Sequence, residues 1–226
     1  MNNTGQTGGT SDADIDAPEA WDVTTGSRGI LVVVTDTGID YTHEDLVNNV
    51  WVNTGEIPGN GIDDDGNGYI DDVHGYDFMN SDSDPADDHG HGTHCSGTIG
   101  GEGNNSVGVA GVNWQVRLAA AKCFDSSGNG SDASILGALQ YCSAVGADVI
   151  SASWGGGPYS QADKDAIEAA GIQGAVFVAA AGNDYGNDND ANPYYPAGYD
   201  LDNVIAVMSC DHNDVRSSFS NYGATT

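Results

Sequence analysis

The chain consists of short apolar runs separated by polar stretches rich in glycine. Residues 29–35 (GILVVVT) form a continuous apolar run of mostly β-branched side chains, which is typical of a strand buried on both faces. Four further runs predict strands at residues 117–124, 147–154, 174–181 and 203–210.

Helical patterns lie between these runs. Residues 131–145 bring four apolar side chains to one helix face, namely Ile135, Leu136, Leu139 and Cys142. Residues 160–172 predict a second helix, started by a capping box of Ser160 and Asp163, and residues 91–101 predict a helix of small side chains. The acidic stretch 45–88 predicts a long loop. Strands that alternate with helices predict an α/β fold of three layers, a central and mostly parallel sheet with helices on both faces.

Length and charge narrow the function classes. With 226 residues the chain fits a single domain, 1–226. Its 34 acidic and 5 basic side chains give a formal charge of −29, which repels nucleic acid and anionic membranes. The apolar runs are far too short to span a bilayer. A solvated acidic surface explains most of this charge, and bound calcium or a salty habitat would neutralise part of it.

The sequence has four cysteines, Cys95, Cys123, Cys142 and Cys210. No two of them form a C-x-x-C pair, which argues against a zinc site. Their even number permits disulfides. Several of them lie in apolar runs, so we expect small buried core residues.

Polar residues follow three of the predicted strands. They are Asp36, Ser153 and Asn183, and the carboxyl ends of parallel strands are where sites form in such sheets. Each one alone is also compatible with a simple turn. The segment from His89 to His94 (HGHGTH) holds three histidines, but without the His-x-x-x-His spacing of helical metal ligands, so a metal hydrolase is a distant alternative.

Three motifs in this order resemble the subtilase family of serine proteases. They are Asp-Thr-Gly at Asp36, His-Gly-Thr-His at His91, and Ala-Ala-Gly-Asn ending at Asn183, and the resemblance extends from about residue 3 to residue 226. It implies that His91 is the general base and acid, that Asp36 orients its ring, and that Asn183 donates to the oxyanion. It also implies a secreted endopeptidase that acts on peptides or proteins.

The resemblance extends to substrate contacts. Gly128, Asn129 and Gly130 resemble an edge strand that pairs with an extended peptide. The segment Ser153, Trp154, Gly155 and Gly156 resembles the wall of the primary specificity pocket, where glycine leaves room for a substrate side chain. Tyr195-Pro196 matches a cis-proline position of the family.

The family's nucleophile lies in a Gly-Thr-Ser-Met-Ala motif that these 226 residues lack, and Ser217, Ser218 and Ser220 lie where the family has positions that precede it. We therefore expect a catalytic domain truncated before its nucleophile and incomplete at its C-terminus, inactive alone. Missing elements would expose apolar surface and favour self-association. The alternative is a non-catalytic calcium- and peptide-binding module on the same scaffold.

The acidic segment DDDGNGYI matches the first half of an EF-hand loop. Its candidate calcium ligands are Asp63, Asp65, Asn67 and Tyr69. His74 stands at the twelfth position in place of the bidentate Glu, so Asp71 or Asp72 must complete the shell. An acidic turn without metal is the alternative.

The family resemblance implies a second structural calcium site. Its candidate ligands are the side chains of Asp45 and Asn105 and the carbonyl oxygens of Val107 and Val109. A third and weaker candidate is the acidic loop 187–192.

Overall fold

The computed structural model describes residues 3–6 and 8–224. One sheet contains six strands in the order β2-β3-β1-β4-β5-β6, and every neighbouring pair is parallel. The strands are β1 (Gly26–Asp36), β2 (Gly75–Asp77), β3 (Gln115–Lys122), β4 (Val149–Ala152), β5 (Val176–Ala180) and β6 (Val204–Val207). The helices are α1 (Ala17–Trp21), α2 (His91–Gly100), α3 (Asp132–Ala144) and α4 (Gln161–Ile172).

Helices lie on both faces of the sheet. Val33 and Phe177 belong to a core that includes Leu139 of α3 and Ile167 of α4. Val32, Val34, Leu118 and Ala120 belong to a second core, against which Cys95 and Ile99 of α2 pack. Full burial of one such aliphatic or aromatic side chain stabilises the fold by about 1.5–3 kcal/mol. The predicted three-layer α/β architecture is confirmed.

All five predicted strands and all three predicted helices are present, with ends shifted by up to three residues. The sequence pattern did not predict β2 or α1, because three and five residues are too short to show a period. The capping box of α4 is only half formed. Ser160 Oγ accepts the Asp163 N–H at 3.2 Å, but the Ser160 N–H donates to Tyr199 Oη.

The cysteine expectation holds for two of the four residues. Cys123 and Cys142 are buried, Cys95 is half-buried and Cys210 is exposed, so the expectation of burial is wrong for Cys210. All four thiols are free. Burial raises the pKa of the Cys123 and Cys142 thiols, so both are neutral core side chains. The Tyr195–Pro196 peptide bond is cis, as the family resemblance implies.

The two faces of the sheet are covered unequally. On the face of α2, Val176, Ile205 and Val207 of β5 and β6 remain exposed. A groove of about 430 Å³ lies beside α2, lined by apolar side chains that include Ile30, Ile99, Val116, Val149 and Val178. Contiguous exposed apolar surface of this kind marks a surface that contacts another segment or molecule.

Candidate active site

Asp36 and His91 meet at the carboxyl edge of the sheet. Asp36 is the last residue of β1 and its side chain is 3% exposed, while His91 is the first residue of α2 and its side chain is 47% exposed. Nδ1 of His91 lies 2.7 Å from Asp36 Oδ1 and 2.9 Å from Oδ2. A carboxylate accepts only, so Nδ1 carries the proton and Nε2 is left as the acceptor.

Thr37 joins the strand end to the helix start. Its N–H donates to Asp36 Oδ1 at 2.7 Å, and its hydroxyl accepts the Gly92 N–H at 2.9 Å. A Cβ at position 92 would lie 2.1 Å from the Gly38 carbonyl oxygen. Because no side chain fits there, Gly92 is required for α2 to begin beside Asp36.

Asp87 holds the loop before α2. Its carboxylate accepts the hydroxyl of Thr37 and the backbone N–H groups of His89, Gly90 and Thr93. It also accepts the Thr93 hydroxyl at 2.6 Å. Burial alone would raise the pKa of Asp87, but the hydrogen bonds from Thr93, Gly90 and His89 lower it to about 2. The ionised carboxylate therefore fixes the position from which His91 projects.

Metal binding at this corner competes with the Asp–His pair. Donor atoms of Asp36, His91 and Cys95 lie within 4.8 Å of one another. However, Asp36 already engages the Nδ1 atom of His91, and burial raises the pKa of the Cys95 thiol. Within the described residues, no group of three metal ligands combines the histidines of the segment 89–94.

Asn183 follows β5. It lines a cavity of about 520 Å³ together with Ser153, Trp154 and Gly155. Its side chain is exposed and makes no hydrogen bond to any described residue. Gly182 before it adopts φ of 107°, a left-handed conformation that glycine reaches without strain. The Asn183 amide is thus a free donor at the edge of the cavity.

The room expected from Gly155 and Gly156 is partly filled by a protein ring. A Cβ on Gly155 would lie 2.4 Å from Cε1 of Tyr194, and one on Gly156 would lie 3.3 Å from the Tyr194 hydroxyl. These glycines therefore accommodate Tyr194, which narrows this wall of the cavity. Nothing in the segment 153–156 signals a contact with a side chain some 40 residues away.

The segment 128–130 follows a turn at residues 126–127 and returns beside Phe124, without forming a strand of the sheet. Oδ1 of Asp125 accepts the N–H groups of Ser127 and Asn129 at 2.8 and 2.9 Å, which curls the chain. An antiparallel bridge pairs Phe124 with Gly130. Gly128 nevertheless lines both cavities of the site, the one of about 520 Å³ and a smaller one of about 210 Å³ beside Asp36 and His91.

A cluster of three acidic side chains lies in the loop region before β2, with Glu56 and Asp72 buried and Asp65 exposed. Glu56, Asp65 and Asp72 offer oxygen atoms within 4.8 Å of one another. Asn53 Nδ2 donates to Asp65 Oδ2 at 2.9 Å and to Asp72 Oδ1 at 2.7 Å, and the Tyr141 hydroxyl donates to Asp72 Oδ2 at 2.7 Å. Burial raises the pKa of Asp72, although these donors oppose the shift.

The chemistry of this cluster suits a hard cation. The two ion pairs found among residues 3–6 and 8–224 are His91–Asp36 and Lys122–Asp88, so no basic side chain neutralises Glu56, Asp65 or Asp72 there. Carboxylate and amide oxygens are the ligands that calcium prefers. The set of donors fits Ca²⁺.

Only part of the predicted loop ligands join this cluster. Asp65 and Asp72 do, whereas Asp63 accepts the N–H groups of three loop residues, Gly66, Asn67 and Gly68. Asp71 accepts the N–H groups of Asn60 and Gly61. The Tyr69 ring packs against Tyr76, Phe78 and Tyr141.

Glu56 was missed by the sequence interpretation, because it precedes the loop motif by seven residues. Its carboxylate accepts the N–H groups of Asp64, Asp65 and Asp71 at 2.9–3.1 Å. The nearby segment Asn53-Thr-Gly-Glu56, just before an acid-rich stretch, was the available signal.

The other predicted calcium ligands also come together. Asn105 Nδ2 donates to Asp45 Oδ1 at 2.8 Å, and the Val109 N–H donates to Asp45 Oδ2 at 2.8 Å. The Val107 N–H donates to Asn105 Oδ1. The segment 105–109 therefore wraps around the buried Asp45. In the loop 187–192, Asn189 donates to the Ala181 carbonyl, and no group of three acidic ligands forms among its described atoms.

Comparison with known proteins shows the family to which this chain belongs. A profile of the subtilase family matches residues 27–226. The chain is 39% identical to thermitase of Thermoactinomyces vulgaris over 93% of its own length and 65% of thermitase. It is 38% identical to the thermophilic serine proteinase of Bacillus sp. strain AK1, over 90% of this chain and 44% of that protein. It is 36% identical to the halolysin-like extracellular serine protease Nep of Natrialba magadii, over 90% of this chain and 34% of that protein.

The chain belongs to the subtilase family, and it spans about two thirds or less of these curated relatives. Among the described residues, no helix is long and apolar enough to cross a membrane.

Proposed function

We propose that this chain contributes the Asp, the His and the oxyanion donor of a serine endopeptidase. The observation that carries the proposal is the contact of both Asp36 carboxylate oxygens with His91 Nδ1, at 2.7 and 2.9 Å. This contact fixes the ring with Nε2 free to accept a proton. The names of two relatives support the same class of reaction, since one is a thermophilic serine proteinase and the other an extracellular serine protease.

Each group has one task in the proposed reaction. His91 Nε2 removes the proton from a serine hydroxyl while the serine oxygen bonds to the substrate carbonyl carbon, and Asp36 stabilises the resulting imidazolium. The Asn183 amide donates to the oxygen that becomes negative. The C–N bond then breaks and the imidazolium gives its proton to the leaving amine. Water repeats the sequence and releases the acyl group.

The nucleophilic serine is assigned to residues outside this sequence, because no Gly-Thr-Ser-Met-Ala segment occurs among the 226 residues. We propose that the segment with the nucleophilic serine packs into the groove beside α2. This groove lies on the same face as α2, whose first residue is His91, and its lining is apolar. In a sample of this chain alone, the same surface is expected to associate with a second copy.

The proposed substrates are peptides or proteins. The cavity lined by Ser153, Trp154, Gly155 and Asn183 would take one side chain, and Gly128 would lie beside the bound peptide. The indole N–H of Trp154 donates to Thr35 Oγ1 at 3.0 Å, which holds this wall in place.

Structural calcium and secretion complete the proposal. The proposed calcium ligands are drawn from Glu56, Asp65, Asn67 and Asp72 in the loop cluster and from the segment around Asp45. Secretion is supported by the relative described as an extracellular protease. Calcium is available outside cells, where such sites stabilise a protein that binds it in the folded state.

The test is labelling with a serine-reactive fluorophosphonate in calcium, applied to this chain and to the product of its whole gene. We expect the whole product to be labelled, labelling to be lost in His91→Ala, and the 226-residue chain to stay unlabelled. His94→Ala is the matched control, since His94 lies one turn further along α2 and is exposed.

Two results would contradict the proposal. Labelling of the whole product that survives His91→Ala would remove His91 from the mechanism. A gene whose product ends at Thr226 and is never labelled would favour the non-catalytic binding module instead.

A further inference from the structure

Lys122 is a buried cation in a chain with very few cations. The sequence holds 34 acidic and 5 basic side chains, and Lys122 and Lys164 are its two lysines. Lys122 is the last residue of β3, is 2% exposed, and is the direct cross-strand partner of Asp36. A buried ammonium is costly unless its donors are all satisfied, so this position calls for a physical explanation.

Its three donors are used on three different segments. Nζ lies 2.6 Å from the Thr37 carbonyl oxygen, 2.6 Å from Asp88 Oδ1 and 3.2 Å from the Phe124 carbonyl oxygen. Thr37 follows β1, Asp88 lies in the loop before α2, and Phe124 follows β3. An ammonium group has three N–H donors and no acceptor, so it is fully satisfied here.

These contacts act next to the Asp–His pair. The Asp36 carbonyl oxygen accepts the N–H of Cys123, the residue after β3, at 2.9 Å, so Lys122 and Cys123 together hold the backbone of Thr37 and Asp36. Asp88 is three residues before His91. One side chain thus links the strand end that carries the carboxylate to the loop that delivers the imidazole.

We propose that Lys122 is a positioning residue for the Asp36–His91 pair. It does not line either cavity of the site, so it acts through the geometry of the pair and not on substrate. The ion pair with Asp88 is only half-buried, since the Asp88 side chain is 53% exposed. The bond to Thr37 is the buried one, and it lies beside Asp36.

The test follows the proton of the His91 Nδ1–H···Asp36 hydrogen bond by NMR in the 226-residue chain with calcium. This proton resonates far downfield, and Asp36→Asn identifies it by abolishing it. In Lys122→Met we expect the resonance to shift upfield or disappear while the backbone amide spectrum keeps its dispersion. Lys122→Arg, which keeps the charge and donors, is expected to restore it at least in part. Lys164→Met, a substitution in α4 away from the site, is expected to leave it unchanged.

A folded Lys122→Met protein with an unchanged resonance would overturn the proposal. So would a Lys122→Arg protein that behaves like Lys122→Met. If the Met variant does not fold, the same resonance is measured in Lys122→Gln instead. This variant retains N–H donors for the carbonyl oxygens. The inference rests on the proposed function for its catalytic meaning, but the resonance needs no nucleophile. Failure of fluorophosphonate labelling and failure of this test are therefore separate results.

Discussion

Two clusters of acidic side chains differ in the partners that the chain itself provides for them. At the site corner, Asp36 contacts His91, and Lys122 lies between Thr37 and Asp88. In the loop cluster, Glu56, Asp65 and Asp72 receive neutral donors, and no ion pair reaches them within the described residues. Buried carboxylates without a counter-charge are costly. The comparison teaches that the chain supplies a buried ammonium at the corner but, among the described residues, no basic side chain to the loop cluster, and this difference supports the proposed calcium site there.

Removal of bound cations by a chelator should lower the free energy of unfolding more than any other change considered. This loss of stability should come only from the loop cluster and the Asp45 segment. A cation that binds the folded state at 1,000 times its Kd stabilises by about 4 kcal/mol. We expect EDTA to lower the free energy of unfolding by about this much and the melting temperature by several degrees, measured by urea and thermal unfolding with circular dichroism.

Matched variants locate the chelation effect. Glu56→Gln should lose a large part of the EDTA response, while Glu168→Gln, an exposed substitution in α4, should keep all of it. An unchanged melting temperature in EDTA would contradict the calcium proposal. Equal responses of the two variants would remove Glu56 from the ligands.

A smaller change in stability tests whether hydrogen bonds from the chain itself stabilise the ionised carboxylate of Asp87. The pKa of Asp87 falls from 3.8 to about 2 in the folded protein, so the carboxylate stabilises the fold above about pH 4 and this contribution is lost as the pH falls toward 2. Since Asp87 is only partly buried, Asp87→Asn should cost about 1–2 kcal/mol at pH 7, after allowance for solvent screening.

The pH dependence distinguishes this prediction from a general loss of packing. The difference between wild type and Asp87→Asn, measured by urea unfolding in EDTA from pH 7 to pH 2, should shrink toward zero at the acid end. Asp165→Asn, an exposed carboxylate of α4, is the control and should be neutral throughout. A cost at pH 2 equal to that at pH 7 would refute the role given to the Asp87 charge.

Sequence patterns predicted local features well and long-range contacts poorly. The run 29–35 predicted β1, and the polar residue after each strand predicted that Asp36 and Asn183 lie at the carboxyl edge, because period and order are local properties of the chain. Glu56 and Tyr194 were not predicted. Glu56 joins Asp65 and Asp72 only through the tertiary path of the loop, and Tyr194 fills space beside Gly155 from a distant segment. Contacts of this kind carry no periodic signal.

Asn183 extends the same comparison, since no described residue forms a hydrogen bond with its exposed side chain. An exposed amide without a hydrogen bond stabilises nothing, so Asn183→Ala should change the free energy of unfolding by no more than about 0.5 kcal/mol. Asn189→Ala is the contrast, because that buried amide donates to the Ala181 carbonyl at 2.9 Å and its loss should cost about 1–3 kcal/mol.

Although Asn183→Ala should have little effect on stability, it should have a large effect on activity. In the whole gene product, Asn183→Ala should lower kcat by about 10²–10³-fold with little change in KM, the size of effect known for the oxyanion asparagine of subtilisin. A donor that acts only when negative charge develops is free in the resting protein, and that is the state in which Asn183 is found. A destabilised Asn183→Ala protein with unchanged kcat would show instead that the side chain is structural, and the oxyanion role would have to be given up.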